Sequence, residues 1–177
     1  MNVPDPRYPI GRFAPPEPID AATRGAAIDA LAAHPAEIRA AVDGLSSAQL
    51  DTPYRDGGWT VRQVVHHLAD SHLNAYCRTR LALTEEEPTI RVYDEKLWAE
   101  LADARSAPVE PSLALLAALH ERWVACLRAQ PAGAFARPLR HPERGPMSLD
   151  RLIALYAWHG RHHVAHVTEL AGRLGWR

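Results

Sequence analysis

The sequence predicts an all-α fold, a bundle of four long helices. Three observations carry that reading. Four segments, roughly 21–44, 61–83, 113–129 and 149–174, place apolar residues at helical spacing. No segment shows convincing period-two alternation, so no substantial sheet is expected. Helix start and stop signals sit at the ends of these segments, as in a bundle joined by loops.

Residues 1–19 are rich in proline and read as an extended arm over the surface. The first helix, "AATRGAAIDALAAHPAEIRAAVDGL", is alanine-rich and contains Pro35, which predicts a kink or break near His34. "SSAQLDTPYRDGG" reads as a connection with at most one short turn. The second helix has a strong start: Thr60 as N-cap with Gln63 three residues on forms a capping box, and Trp59 with Val64 a hydrophobic staple. Residues 84–111 form a long connection holding one short helix at "YDEKLWAEL". Ser112 is expected to cap the third helix. Residues 130–147, with four prolines, read as loop. Ser148 caps the last helix and Gly175 ends it.

Length and composition fit one domain spanning 1–177 that includes the arm. The formal charge is −1 and no basic stripe is present, which argues against a nucleic-acid partner. No apolar run reaches the roughly 18 residues of a membrane span, and the N-terminus has no apolar signal region. Cys77 and Cys126 form no C-x-x-C pair, so a reduced cytoplasmic setting is expected.

The chemistry concentrates in "YAWHGRHHVAHVTEL", residues 156–170, which holds His159, His162, His163 and His166. At about 100° per residue, His159 and His163 share the core-facing arc of Leu152, Tyr156, Leu170 and Leu174. His166 lies close to that arc and His162 at its edge. Imidazoles at i, i+4 stack one above the other, so both can reach one metal ion at about 2.0–2.1 Å. The plain alternative is a set of hydrogen-bonded core histidines. A third ligand is sought in "VVHHLADSH". There the apolar arc of Val61, Val64, Val65, Leu68 and Ala75 includes His72, is flanked by His67 and excludes His66. The wheel therefore favours His72. His120 reads equally well as ligand or core, and His34 and His141 read as surface or loop residues. Asp70, one turn after His67, reads equally as an acceptor that orients an imidazole or as a solvated charge. Cys77 lies roughly 15 Å along the axis from His67, too far to share an ion with it.

Several stretches together resemble the DinB/YfiT-like superfamily, and within it the YfiT-like metal-dependent hydrolases. They are "YPIGRF", "LDTPYRDGGWTVRQVVHHLADSH", "YDEKLWAEL", "SLALLAALHERW" and "LYAWHGRHHVAHVTEL", and they cover almost the whole chain. The resemblance implies a four-helix bundle, a homodimer, and one divalent metal held by His67, His159 and His163. It differs from the wheel at one position, His67 against His72. His67 is followed here, because a helical arc does not say which flank meets a cavity, and His72 stays as the alternative.

The function this implies is hydrolysis of a small-molecule substrate. Three neutral histidines leave a divalent ion, zinc or nickel, its full charge and an open position, and water there becomes acidic. Gly160 follows His159, so the glutamate base of an H-E-x-x-H site is absent. Asp70, His162 and His166 are the weak candidates for that role. Two other readings stand beside it: a metal-dependent transferase of a low-molecular-weight thiol, and a non-catalytic metal-binding, stress-associated module. Residues 84–111 and 130–147 are expected to frame the pocket. Within "RHPERG", Arg140 and Arg144 read as solvated loop residues, with contact to an anionic group as the alternative.

Overall fold

The structure is a computed structural model, described over residues 5–176. Four long helices dominate it: α1 (Ala21–Val42), α3 (Val61–Thr84), α6 (Glu110–Arg128) and α7 (Leu149–Arg173). Three short helices fill the connections: α2 (Ser47–Leu50), α4 (Glu95–Ala99) and α5 (Ala102–Ser106). A 3₁₀ turn over Ala132–Ala136 leads into a small antiparallel hairpin, β1 (Pro138–His141) and β2 (Gly145–Ser148).

The expected caps form at α3 and α7. The Thr60 hydroxyl accepts from the Gln63 backbone N–H, and the Gln63 side chain returns to the Thr60 N–H. The Ser148 hydroxyl accepts from the Arg151 N–H. At the far end of α7, Gly175 takes a left-handed φ of 65°.

The structure corrects four local expectations. Pro35 does not break α1, which runs through it. The third helix starts at Glu110 with Pro111 in its first turn, and Ser112 instead hydrogen-bonds His66 Nδ1 at 2.8 Å. "YDEKLWAEL" gives α4, and α5 begins directly after it. The segment expected as loop carries the hairpin, whose four-residue strands are too short and too proline-rich to show alternation. Leu139 and His141 nevertheless point inward there. The hairpin is tied to the 84–94 connection, where Arg140 N–H donates to Pro88 O and Ile90 N–H to Arg140 O.

Helix α1 packs on α7 and α6, and α3 packs on α6 and α7. Arg24 clamps the start of α1 to Asp150 at the start of α7 with two hydrogen bonds, 2.6 and 2.7 Å. The apolar interior forms two clusters. One surrounds Leu31, Trp123, Leu152 and Ile153. The other surrounds Ile38, Val64, Leu68, Leu116 and Val167. Between them in sequence register lie His34 on α1, His72 on α3, His120 on α6 and His159 on α7. The bundle thus carries a histidine layer between two hydrophobic ones. Among the described residues, no helix is long and apolar enough to cross a membrane, and both cysteines are free.

Candidate metal centre

Helices α3 and α7 bring three imidazoles together. One ring nitrogen from each of His67, His159 and His163 lies within 4.8 Å of the others. The Nε2 atoms of His67 and His159 are 3.2 Å apart. Two nitrogens on one tetrahedral ion at 2.0–2.1 Å stand about 3.3 Å apart, so this pair is spaced as co-ligands are. Burial pushes the His67 pKa down to about 4, and it holds His159 and His163 well below the ordinary histidine value. All three are therefore neutral at pH 7, the form that can donate a lone pair to a metal.

His72 sits behind this cluster. Its Nε2 faces His159 Nδ1 at 3.2 Å, and its Nδ1 faces His120 Nε2 at 2.8 Å. His120 Nδ1 in turn lies 2.6 Å from the Leu31 carbonyl. The wheel ranked His72 first because it lies within the apolar arc of α3, and it is the most buried histidine, at 0 % exposure against 8 % for His67. A ligand must face a cavity, and the residue that orients a ligand lies deeper.

The chain of contacts also fixes protons. Leu31 O can only accept, so His120 Nδ1 carries the hydrogen and its Nε2 is bare. His72 Nδ1–H donates to that Nε2, which leaves His72 Nε2 bare. His159 Nδ1–H donates to it, and the remaining lone pair, on His159 Nε2, points to the His67 side. The acceptor that starts this sequence comes from Pro35. An α-helical N–H at position 35 would bond the carbonyl of Leu31, and proline has none. The proline that reads as a helix breaker frees the carbonyl on which the histidine chain ends.

His163 is backed differently. Its Nδ1 meets His166 Nδ1 at 3.3 Å, and His166 stacks on Tyr54 at 4.0 Å. His162 stacks on Trp158 at 4.5 Å and lines the cavity. Asp70 is half-buried, its pKa raised by that burial, and its carboxylate makes no hydrogen bond to a histidine among the described residues. Gly160 has a steric cause: a Cβ there would lie 2.8 Å from the His34 ring. The H-E-x-x-H glutamate is excluded by the close approach of α1 to α7. His34 and His141, expected at the surface, are both buried, at 2 % and 8 % exposure. His66 is held away from the cluster by Ser112 and Ala107 O.

The cluster opens into a cavity of about 660 Å³. Both expected segments line it, through Tyr93 and Glu95 of one and His141, Glu143 and Arg144 of the other. Sequence reasoning did not pick out two other contributors. The N-terminal arm supplies Tyr8 and Phe13, which lie against His162 and Trp158. Arg78 enters the cavity wall from α3. The signal for the arm was the "YPIGRF" stretch, whose aromatics have no partner in a purely extended segment. Arg78 had a signal too, a cation on the buried side of α3.

Comparison with known proteins gives the family and the fold. Residues 30–167 match the DinB superfamily. The chain is 52 % identical over 170 residues to a Bacillus subtilis (strain 168) protein named "Putative metal-dependent hydrolase YfiT", covering 96 % of each chain. It is 50 % identical over 172 residues to a Bacillus cereus (strain 03BB102) protein named "Putative metal-dependent hydrolase", covering 97 % of this chain and 99 % of that one. The solved structure of Bacillus subtilis YfiT, described as a probable metal-dependent hydrolase with an unusual four-helix bundle topology, matches with a TM-score of 0.94. The match has 51 % identity and covers 97 % of this chain and 99 % of that one. A four-helix bundle with a histidine cluster at one cavity, matched along nearly its whole length, makes this chain a member of the DinB superfamily.

Proposed function

We propose that His67, His159 and His163 hold one divalent metal ion, zinc or nickel, and that the site hydrolyses a small-molecule substrate in the cavity above it. The observation that carries this is the three neutral imidazoles, with one nitrogen each within 4.8 Å, at a cavity of about 660 Å³. Held by these residues, a divalent ion would supply Lewis-acid chemistry, polarising a substrate oxygen and lowering the pKa of water. Three protein ligands leave a coordination position open, which suits catalysis better than storage.

The chain's own residues set the conditions for that chemistry. The His72–His120–Leu31 chain holds the His159 ring with its Nε2 lone pair outward. Trp59, 4.6 Å from the His67 ring, covers one side of the cluster. Tyr8, Phe13 and Trp158 line the cavity with aromatic rings, an apolar wall that disfavours water there. Glu95 and Glu143 are the carboxylates that line the cavity, and with His162 they are the candidate proton acceptors there. Like the hydrolase names of its relatives, the site supports hydrolysis as the first reading.

One observation favours a second reading, transfer of a low-molecular-weight thiol. Among the described residues no carboxylate joins the histidine cluster, and a thiol needs less help than water to ionise. Two assays on zinc- and nickel-loaded protein separate the readings: a panel of esters and amides, and a panel of cellular thiols with an electrophile. Turnover of the first panel that disappears in His163→Ala supports hydrolysis. Turnover of the second alone replaces it with thiol transfer. A metal content near zero in the unsubstituted protein overturns both. We also propose a cytoplasmic homodimer, to be tested by sedimentation at micromolar concentration, where a monomer would contradict it.

A further inference from the structure

Arg78 stands out among the arginines of the cavity wall. It is only 8 % exposed, yet among the described residues no carboxylate pairs with it. Its Nη1 donates to the Tyr156 hydroxyl at 3.0 Å and its Nη2 to the Arg91 carbonyl at 2.9 Å. A guanidinium has five N–H donors, so three remain without a protein acceptor, the buried Nε–H among them. A buried cation held by two neutral acceptors and no anion is costly. A brace between Tyr156 and Arg91 would need only two neutral donors, so bracing does not account for the charge.

Its position gives the charge a use. Arg78 lies on α3 about 16 Å along the axis from His67, and its side chain folds back to Tyr156. The Tyr156 ring is 5.6 Å from the His159 ring. The guanidinium is therefore one tyrosine away from the histidine cluster, in the wall of the same cavity. The two hydrogen bonds fix its plane before any ligand arrives, which favours a planar or tetrahedral oxyanion. The wall carboxylates Glu95 and Glu143 form no ion pair with it.

We propose that Arg78 binds an oxyanion of the substrate, a carboxylate or phosphate group distinct from the group that reacts at the histidine cluster. This rests on the reading of the cavity as the substrate site. It makes the substrate a bifunctional small molecule: an electrophilic carbonyl at one end and an anion one tyrosine length away. Arg78 is then a binding residue that sets specificity for anionic substrates.

The test reads Arg78 directly. The Arg78 Nε–H signal in the ¹H–¹⁵N spectrum of the zinc-loaded full chain is identified as the resonance missing in Arg78→Lys. Succinate, inorganic phosphate and the neutral succinamide are titrated in turn. The expected result is a saturable shift of that signal with succinate or phosphate, and none with succinamide. Which anion acts at lower concentration identifies the group. Apparent affinity for it should fall at least tenfold in Arg78→Met and less in Arg78→Lys. An anion held only by the metal leaves the Arg78 signal in place, and that result overturns the proposal. So does equal affinity in a folded Arg78→Met. If Arg78→Met does not fold, the shift in the unsubstituted protein still decides. Absence of hydrolysis would overturn the functional reading and leave this titration readable, and a chain that takes up no zinc is titrated metal-free with the same signal, so the two failures are distinguishable.

Discussion

His159 and His163 are one helical turn apart on α7 and face the same cluster, but they are held by different means. Behind His159 runs a chain of two histidines that ends on a helix carbonyl, so every proton in it has one place to be. Behind His163 stands His166 alone, at 3.3 Å between two Nδ1 atoms, and either ring can be the donor. Beyond His166 lies the backbone of Pro6 and Arg7 in the arm, without a completed hydrogen bond to its Nε2. Which imidazoles meet is thus set by helical spacing, whereas the orientation of each is set by what lies behind it. One ring is oriented by the bundle core and the other leans toward a surface arm.

The largest effects should come from removing either ring, and they should differ. His159→Ala and His163→Ala each remove a ligand, and metal analysis should show near-complete loss in both. His159→Ala also leaves the fully buried His72 Nε2 without its partner while His72 Nδ1–H stays committed to His120, an added cost of about 1–3 kcal/mol. His166, which loses its partner in His163→Ala, has no fixed proton and can turn it toward the backbone of Pro6 and Arg7. Thermal unfolding of the metal-free variants should therefore place His159→Ala below His163→Ala. Equal melting temperatures would remove the asymmetry.

The next effect concerns the backing groups. His72→Phe keeps the packing but gives His159 Nδ1–H no acceptor. It should weaken metal affinity about 10–100-fold. His166→Phe should weaken it less, because its hydrogen bond has no fixed direction. A competition titration with a chromogenic chelator ranks the two, and the reverse ranking would contradict the account.

The pH dependence of stability follows from the buried rings. Burial lowers His34 to about 3 and His67 to about 4, from an unfolded value near 6.5. Between those values the unfolded chain binds protons that the native chain refuses. Stability is then fully present above about pH 6.5 and falls as pH drops toward 4, by up to about 1.4 kcal/mol per pH unit for each such ring. Denaturant midpoints of the metal-free protein from pH 7.5 to 4.5 check this, and a flat profile would contradict it. The smallest effect belongs to Pro35→Ala. It restores an N–H that shares the Leu31 carbonyl, and a carbonyl has a second lone pair. Metal affinity should drop only a few-fold, with the histidine ¹⁵N pattern of His159 retained.

Much of this was legible in the sequence, for a physical reason. Helical period, the Thr60–Gln63 box and the Ser148 cap are local signals, and the long helices follow them. The i, i+4 pair on α7 was legible because spacing on one helix is fixed by helix geometry. The partner on α3 was not, since burial and access to a cavity are different quantities and the wheel reports only the first. Both His72 and His67 are buried, but only His67 lines the cavity. Pro35 shows the same limit: its local meaning is a missing hydrogen bond, and its use depends on His120, 85 positions away. The hairpin and the arm's place in the cavity wall were hidden because their residues find partners only in the folded chain, as Arg140 does with Pro88 and Tyr8 with His162.

The central claim is that His67 is a ligand and His72 orients one. Zinc stoichiometry and affinity of His67→Ala and His72→Phe, measured side by side on folded protein, test it most directly. The account predicts that His67→Ala binds almost no zinc, while His72→Phe still binds one ion per chain with reduced affinity. Full occupancy in His67→Ala together with an empty site in His72→Phe would contradict it.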